Sequence, residues 1–324
     1  MRSLMIAALL ALAACDAAKT EPDARAEPRT GAPAEAAAPQ WSIDSGGDLN
    51  AFFECLERER ISLVSAHRGG PKPGYPENAL ATLRETLEIA PAILEVDVAT
   101  SSDGVLYLFH DDTLDEKTTG AGPADGLAWE EIGNLRLKDA SGKATDYPPT
   151  RLGEALEWAD GRTILALDIK RSTRYEDVVS EVRRQGAEDR VLLIAYTTAQ
   201  ARKLHSLLPE AMISLNVGSQ SELNGAVAAG IPTDRIVAFT GVETPDPRLF
   251  SVLNDRDVEV IFGTLGGADS LDARAARSGD DRLYTELAET GVDLIATDRP
   301  AAVQAALGRA GRAGKAGVCG ISRN

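Results

Sequence analysis

The chain has 324 residues, 44% of them hydrophobic, enough for one large domain or two small ones. Its formal net charge of -16 sets the surface against nucleic-acid phosphates, and no basic stripe overrules this, so nucleic acid is excluded as a partner. The sequence has no Gly-x-Ser-x-Gly elbow and no Cys-x-x-Cys pair, and Gly120, Gly122 and Gly126 do not follow the strand–turn–helix logic of a dinucleotide site.

The first segment reads as a targeting sequence. Arg2 supplies a positive charge, and residues 5–14 form an apolar run too short to span a bilayer. The run ends in Leu12-Ala13-Ala14-Cys15, which resembles the lipobox of bacterial lipoproteins. That resemblance implies a signal peptide over 1–14 and lipidation at Cys15, with several acyl chains holding the protein to a membrane in the cell envelope, facing the periplasm or the exterior. The alternative is an ordinary signal peptide in which Cys15 has no role. Residues 15–41 are rich in Ala, Pro and Glu and read as a disordered tether. Cys55 and Cys319 remain as a possible pair or as two free thiols.

From residue 42 to about 308, short apolar runs alternate with helical patterns. Strands are expected at 62–67, 93–99, 163–169, 191–196, 212–217, 235–239, 258–262 and 294–297. Helices are expected at 77–89, 151–159, 175–185, 198–208, 221–229, 247–255, 281–289 and 300–307. Eight strand–helix units over this length predict a TIM (β/α)8 barrel, with a doubly wound open sheet as the alternative. One connection departs from the pattern. A second strand at 105–110 follows the turn Ser101-Ser102-Asp103-Gly104, and the stretch 112–150 reads as a small insertion beyond a strand end, where barrel enzymes place their sites. Residues 309–324 carry Arg309, Arg312, Lys315 and Arg323 among Gly and Ala and read as a flexible tail.

The chemistry-bearing residues lie at the ends of the predicted strands. Glu95 and Asp97 are two apart, so a strand puts both on one face. Two carboxylates there repel unless a positive group stands between them, and a hard divalent cation such as Ca2+ or Mg2+ fits; arginine or solvent is the alternative. Asp168 and Lys170 repeat the spacing on another strand, giving a third oxygen ligand and a cation for a phosphate oxygen, or else a rim ion pair. His67 and His110 close two strands and suit proton transfer near neutral pH, although a histidine at a strand end is commonly structural. Arg68 offers a planar fork for a phosphate or for a surface salt bridge.

Taken together, His67-Arg68-Gly69, Pro76-Glu77-Asn78, Glu95-x-Asp97, Asp103-Gly104…His110-Asp111 and Thr297-Asp298-Arg299-Pro300 resemble the glycerophosphodiester phosphodiesterase family. The resemblance covers most of 62–307. It implies a TIM barrel, a divalent cation held by Glu95, Asp97 and a third acid, and a catalytic pair at His67 and His110. It also implies substrate contacts from Arg68, Lys170, Glu77 and Asn78. Its reaction is hydrolysis of small glycerophosphodiesters to an alcohol and sn-glycerol 3-phosphate, often through attack by the neighbouring glycerol hydroxyl. Two departures stand out. Asp168 replaces the family's usual Glu, and Ala79 replaces a Thr that could cap the following helix. A lysolipid- or phospholipid-directed activity and a non-catalytic binding lipoprotein are the alternatives. An apolar rim at the barrel mouth would favour the former, and a broken ligand set the latter.

Overall fold

Val-, Ile- and Leu-rich runs bounded by polar turns form parallel strands here, because each is covered on both faces. The computed structural model describes residues 40–324. In chain order it contains β1 (Trp41–Ile43), α1 (Leu49–Arg58), β2 (Leu63–Ala66), α2 (Leu80–Ile89), β3 (Ala92–Thr100), β4 (Leu106–Leu108), α3 (Trp129–Ile132) and α4 (Leu152–Ala159). Then follow β5 (Leu165–Ile169), α5 (Tyr175–Arg184), β6 (Val191–Ala195), α6 (Thr198–Leu207), β7 (Met212–Asn216), α7 (Gln220–Ala228), β8 (Ile236–Phe239) and α8 (Pro247–Asn254). The chain ends with β9 (Glu259–Gly263), α9 (Leu271–Ser278), α10 (Arg282–Glu289), β10 (Leu294–Thr297), α11 (Pro300–Ala310) and β11 (Ile321–Arg323).

Strands β2, β3, β5, β6, β7, β8, β9 and β10 pair in parallel around a ring. The ring closes because β2 bonds to both β3 and β10. Closure decides for the TIM barrel over the open sheet. The interior is filled by Leu63, Ile93, Ile164, Leu192, Met212, Val237, Ile261 and Leu294, and a second apolar layer packs the strands against the helices. Strand β4 lies antiparallel on β3 outside the ring and opens the expected insertion. Tyr107, Phe109, Leu114, Ile132 and Leu137 give the insertion a small core of its own.

The lower end of the barrel differs from expectation. Helix α1, capped by the Asp48 carboxylate on the Ala51 N–H, turns Leu49, Phe52, Phe53 and Leu56 against the bottom of the interior. Residues 309–324 are not a flexible tail. Helix α11 runs on to Ala310, β11 pairs antiparallel with β1, and Cys319 is joined to Cys55 of α1. Strand pairing and a covalent tie supply the order that composition alone did not suggest. Cys15, the signal segment and nearly all of the tether lie outside the described residues.

Candidate active site

The site stands at the C-terminal ends of the strands. Strand register sets Asp97 of β3 beside Asp168 of β5, and alternation puts Glu95 on the same inward face as Asp97. One oxygen from each of Glu95, Asp97 and Asp168 lies within 4.8 Å of the others. They border a cavity of about 220 Å³ that His67, His110 and Lys170 also line. Its other wall is mostly apolar, with Ile194, Phe239, Ile261, Leu265 and Ala296.

Backbone geometry brings His67 and Arg68 to this mouth. After β2 the chain turns sharply through Arg68 in the left-handed region (φ 49°) and through Gly69 and Gly70 at φ 81° and 84°. A Cβ on Gly69 would collide with the Leu83 side chain, and one on Gly70 would come within 2.7 Å of Thr86 Oγ1 and 2.9 Å of Pro300 Cγ. Glycine is therefore required there both by φ and by the close approach of α2 and α11. The strained turn points the Arg68 N–H at Glu95 Oε2, 2.7 Å away. The Arg68 side chain donates to Glu77 Oε1 at 2.9 Å, and its Nε stands 3.6 Å from Asp97 Oδ2.

Each histidine of the pair is oriented by a carboxylate. His67 Nδ1 donates to Asp298 Oδ1 at 2.7 Å, and His110 Nδ1 to Asp111 Oδ1 at 2.6 Å. A carboxylate can only accept, so these bonds place the proton on Nδ1 and leave Nε2 for other work. Asp298 is itself fixed. Its Oδ2 accepts from the Gly266 N–H, and its own N–H donates to Asp272, a buried α9 residue that also accepts from Thr297 and Tyr284. Burial pulls the His67 pKa down, but the Asp298 hydrogen bond and the charge of Glu95 outweigh it and raise it above the ordinary value.

The acids respond to one another. Burial, then the charge of Asp97, pushes Glu95 well above the usual carboxylate range. Asp97 is pushed up by burial too, yet Lys170 and the Asn78 amide outweigh that and hold it low. Lys170 Nζ donates to Asp97 Oδ1 at 3.0 Å and to Asp168 Oδ2 at 3.1 Å. Lys170 and the Arg68 guanidinium offset part of the negative charge that the three clustered carboxylates bring together. Such an all-oxygen donor set fits a hard divalent cation.

Of the expected site residues within the described part of the chain, His67, Glu95, Asp97, His110, Asp168 and Lys170 line the cavity, while Arg68, Glu77 and Asn78 stand behind these side chains, two of them differently from expectation. Asn78 is only 1% exposed; its Nδ2 donates to Asp97 Oδ2 at 2.8 Å and its Oδ1 accepts from the Asp97 N–H at 2.9 Å. Both ends of the amide are occupied behind Asp97, so it orients that carboxylate and cannot contact substrate. The Glu77 carboxylate is taken up by Arg68 and by Lys117 of the insertion, 3.0 Å away, so it steadies the guanidinium instead of facing a phosphate that would repel it. The hydroxyl missing at Ala79 is replaced from elsewhere: Thr150 Oγ1 accepts from the Leu80 N–H at the start of α2. Sequence reasoning gave no role to Asp111, Asp298, Lys117, Asp272 or Tyr196. Only the first two carried a signal, as neighbours of His110 and Thr297 in the quoted motifs.

Residues 67–216 match the sequence profile of the glycerophosphoryl diester phosphodiesterase family. A crystal structure of a glycerophosphoryl diester phosphodiesterase from Parabacteroides distasonis is 30% identical, with a TM-score of 0.79 over 88% of this chain and 100% of that one. A glycerophosphodiester phosphodiesterase from Caldanaerobacter subterraneus is 29% identical over 48% of this chain and 66% of its own length. Human glycerophosphodiester phosphodiesterase 1 is 36% identical over 35% of this chain and 33% of its own. The chain thus spans less than two thirds of the length of these two curated relatives.

Proposed function

The chain belongs to the glycerophosphoryl diester phosphodiesterase family, and from that membership we propose that it hydrolyses small glycerophosphodiesters to an alcohol and sn-glycerol 3-phosphate. The observation that carries this reading is the convergence of Glu95, Asp97 and Asp168 on one point of a cavity that two carboxylate-held histidines also line.

Those three acids would hold a Ca2+ or Mg2+ ion, which when bound supplies positive charge to the phosphate oxygens. The remaining work falls to the chain. Lys170 and the Arg68 guanidinium bind the anionic diester and offset charge growing on its oxygens. One imidazole Nε2 removes the proton from the neighbouring glycerol hydroxyl as its oxygen bonds to phosphorus, and the other ring hands a proton to the departing alkoxide as the opposite phosphorus–oxygen bond breaks, which leaves a cyclic phosphate. Water then opens that ring, giving one proton to the now basic imidazole while the leaving ring oxygen takes one from the other, and yields sn-glycerol 3-phosphate. Asp298 and Asp111 keep both rings in the tautomer that presents Nε2.

The mouth supports a deacylated substrate. Among the described residues, the large apolar side chains exposed around it are Tyr196 and Val242, too few for a lipid-seating rim. The Cys55–Cys319 disulfide supports an oxidising compartment, in keeping with a lipid-anchored protein of the cell envelope. Cys15→Ser is expected to move the protein from the membrane to the soluble fraction; a protein still membrane-bound would remove the anchor from the account.

Activity is tested on the purified full-length chain with a panel of glycerophosphodiesters and lysolipids, with and without chelator. His67→Ala and His110→Ala are each expected to lose at least about 100-fold in kcat, in line with general acid–base contributions, while the far-UV spectrum stays native. Near-normal turnover in both variants, or turnover indifferent to chelator, overturns the mechanism.

A further inference from the structure

Tyr196 is the most exposed large apolar side chain of the described residues, at 53%, yet its hydroxyl is turned inward. It donates to Asp168 Oδ2 at 2.9 Å. The residue follows β6 directly, on the strand next to that of Asp168. Its backbone N–H donates to Gln200 Oε1 in the first turn of α6, which fixes the point from which the ring crosses the mouth.

Asp168 has little else to hold it. Lys170 Nζ also reaches Oδ2, but that ammonium is shared with Asp97 and sits on a flexible stem. Among the described residues no side chain or backbone group donates to Asp168 Oδ1. Asp97, by contrast, is held by Asn78 from behind, and Glu95 by the Arg68 N–H. The third acid therefore lacks the rigid backbone or buried-amide partner that the other two have. A short carboxylate free to rotate about χ2 presents an ill-defined oxygen, and the rigid phenol removes that freedom.

We propose that Tyr196 is a positioning residue that clamps Asp168 Oδ2, so that Oδ1 is presented to a divalent cation shared with Glu95 and Asp97. This rests on the three-acid site proposed above and assigns one more side chain to it. Tyr196 lines the cavity, and its role there is exerted through the carboxylate that its hydroxyl holds. Loss of such an outer partner typically weakens metal affinity about 10- to 100-fold.

The test compares the full-length wild type with Tyr196→Phe and Asp168→Asn, titrating CaCl2 and MgCl2 by calorimetry after chelator treatment. Tyr196→Phe keeps the ring and removes only the hydroxyl. Its affinity is expected to fall about 10-fold or more, while its thermal midpoint in chelator stays within about 2 °C of wild type. Saturating cation should restore its kcat to within about threefold, since the defect lies in holding the ion. If Asp168→Asn abolishes binding but Tyr196→Phe binds within about twofold of wild type, the clamp is overturned and the three-acid site stands. If Asp168→Asn also binds like wild type, the site itself fails and the clamp with it. A Tyr196→Phe defect that saturating cation cannot rescue would assign Tyr196 to another role.

Discussion

At the residue scale, the histidines depend on carboxylates that do no chemistry themselves. Asp298 holds His67 through Nδ1, and the Gly266 N–H and the Asp272 network keep Asp298 in place. Asp298→Asn keeps the shape but can offer its NH2 to the ring, reversing the tautomer and turning Nε2 from acceptor to donor. We expect kcat to fall about 100-fold or more with KM changed far less, because ring orientation is used mainly in the transition state. Parallel losses in KM and kcat, or a kcat near wild type, would show that His67 is oriented by something else. Asn78 illustrates the same dependence on the acid side, since a single buried amide holds both the carboxylate and the N–H of Asp97.

At the element scale, the two ends of the barrel strands carry opposite problems. The C-terminal ends gather acids around a usable cavity. At the N-terminal ends, Glu259 at the start of β9 and Asp293 before β10 face Glu54 and Glu57 of α1, with Arg312 close to Asp293. Burial, reinforced by these neighbours, pushes Glu259 up to about 8 and Asp293 up to about 7. Both therefore keep protons in the folded state that the unfolded chain has already released. Their contribution to stability is full below the ordinary carboxylate pKa and is lost as pH rises towards 8. Glu259→Gln should flatten this decline and stabilise the protein at pH 8 by on the order of 1–3 kcal/mol, with little effect at pH 4. Denaturant midpoints at the two pH values measure it, and an equal shift at both would rule the titration out.

At the scale of the whole molecule, the two ends of the described residues are fastened together beneath the barrel, at the opposite end from the candidate site. The Cys55–Cys319 bond spans 264 residues of sequence, and β1–β11 pairing lies beside it. Cys55→Ser/Cys319→Ser should cost about 2–5 kcal/mol in denaturant unfolding, while kcat on a glycerophosphodiester stays within about twofold. A large loss of activity at unchanged stability would mean that the fastening reaches the mouth.

The sequence by itself determined the strand–helix alternation and pointed to most of the charged and imidazole side chains that line the cavity. Those signals are local: period-two carboxylates at Glu95 and Asp97, and charged or imidazole side chains ending apolar runs at His67, His110, Asp168 and Lys170. Helix α1 also has a local signal, with Asp48 as a capping residue before Leu49, Phe52, Phe53 and Leu56 at helical spacing. Helix α9, carrying only Leu271 and Ala275 as markers of a packed face, gave too weak a pattern to be seen. Only the tertiary structure decided that the sheet closes, that Cys55 meets Cys319, that Asn78 faces Asp97 and not the cavity, and that Asp298 and Tyr196 reach residues 231 and 28 positions away. Periodicity reports which face of an element is buried. Which distant residue meets that face depends on register and barrel closure, and these are set by the packing of the whole ring.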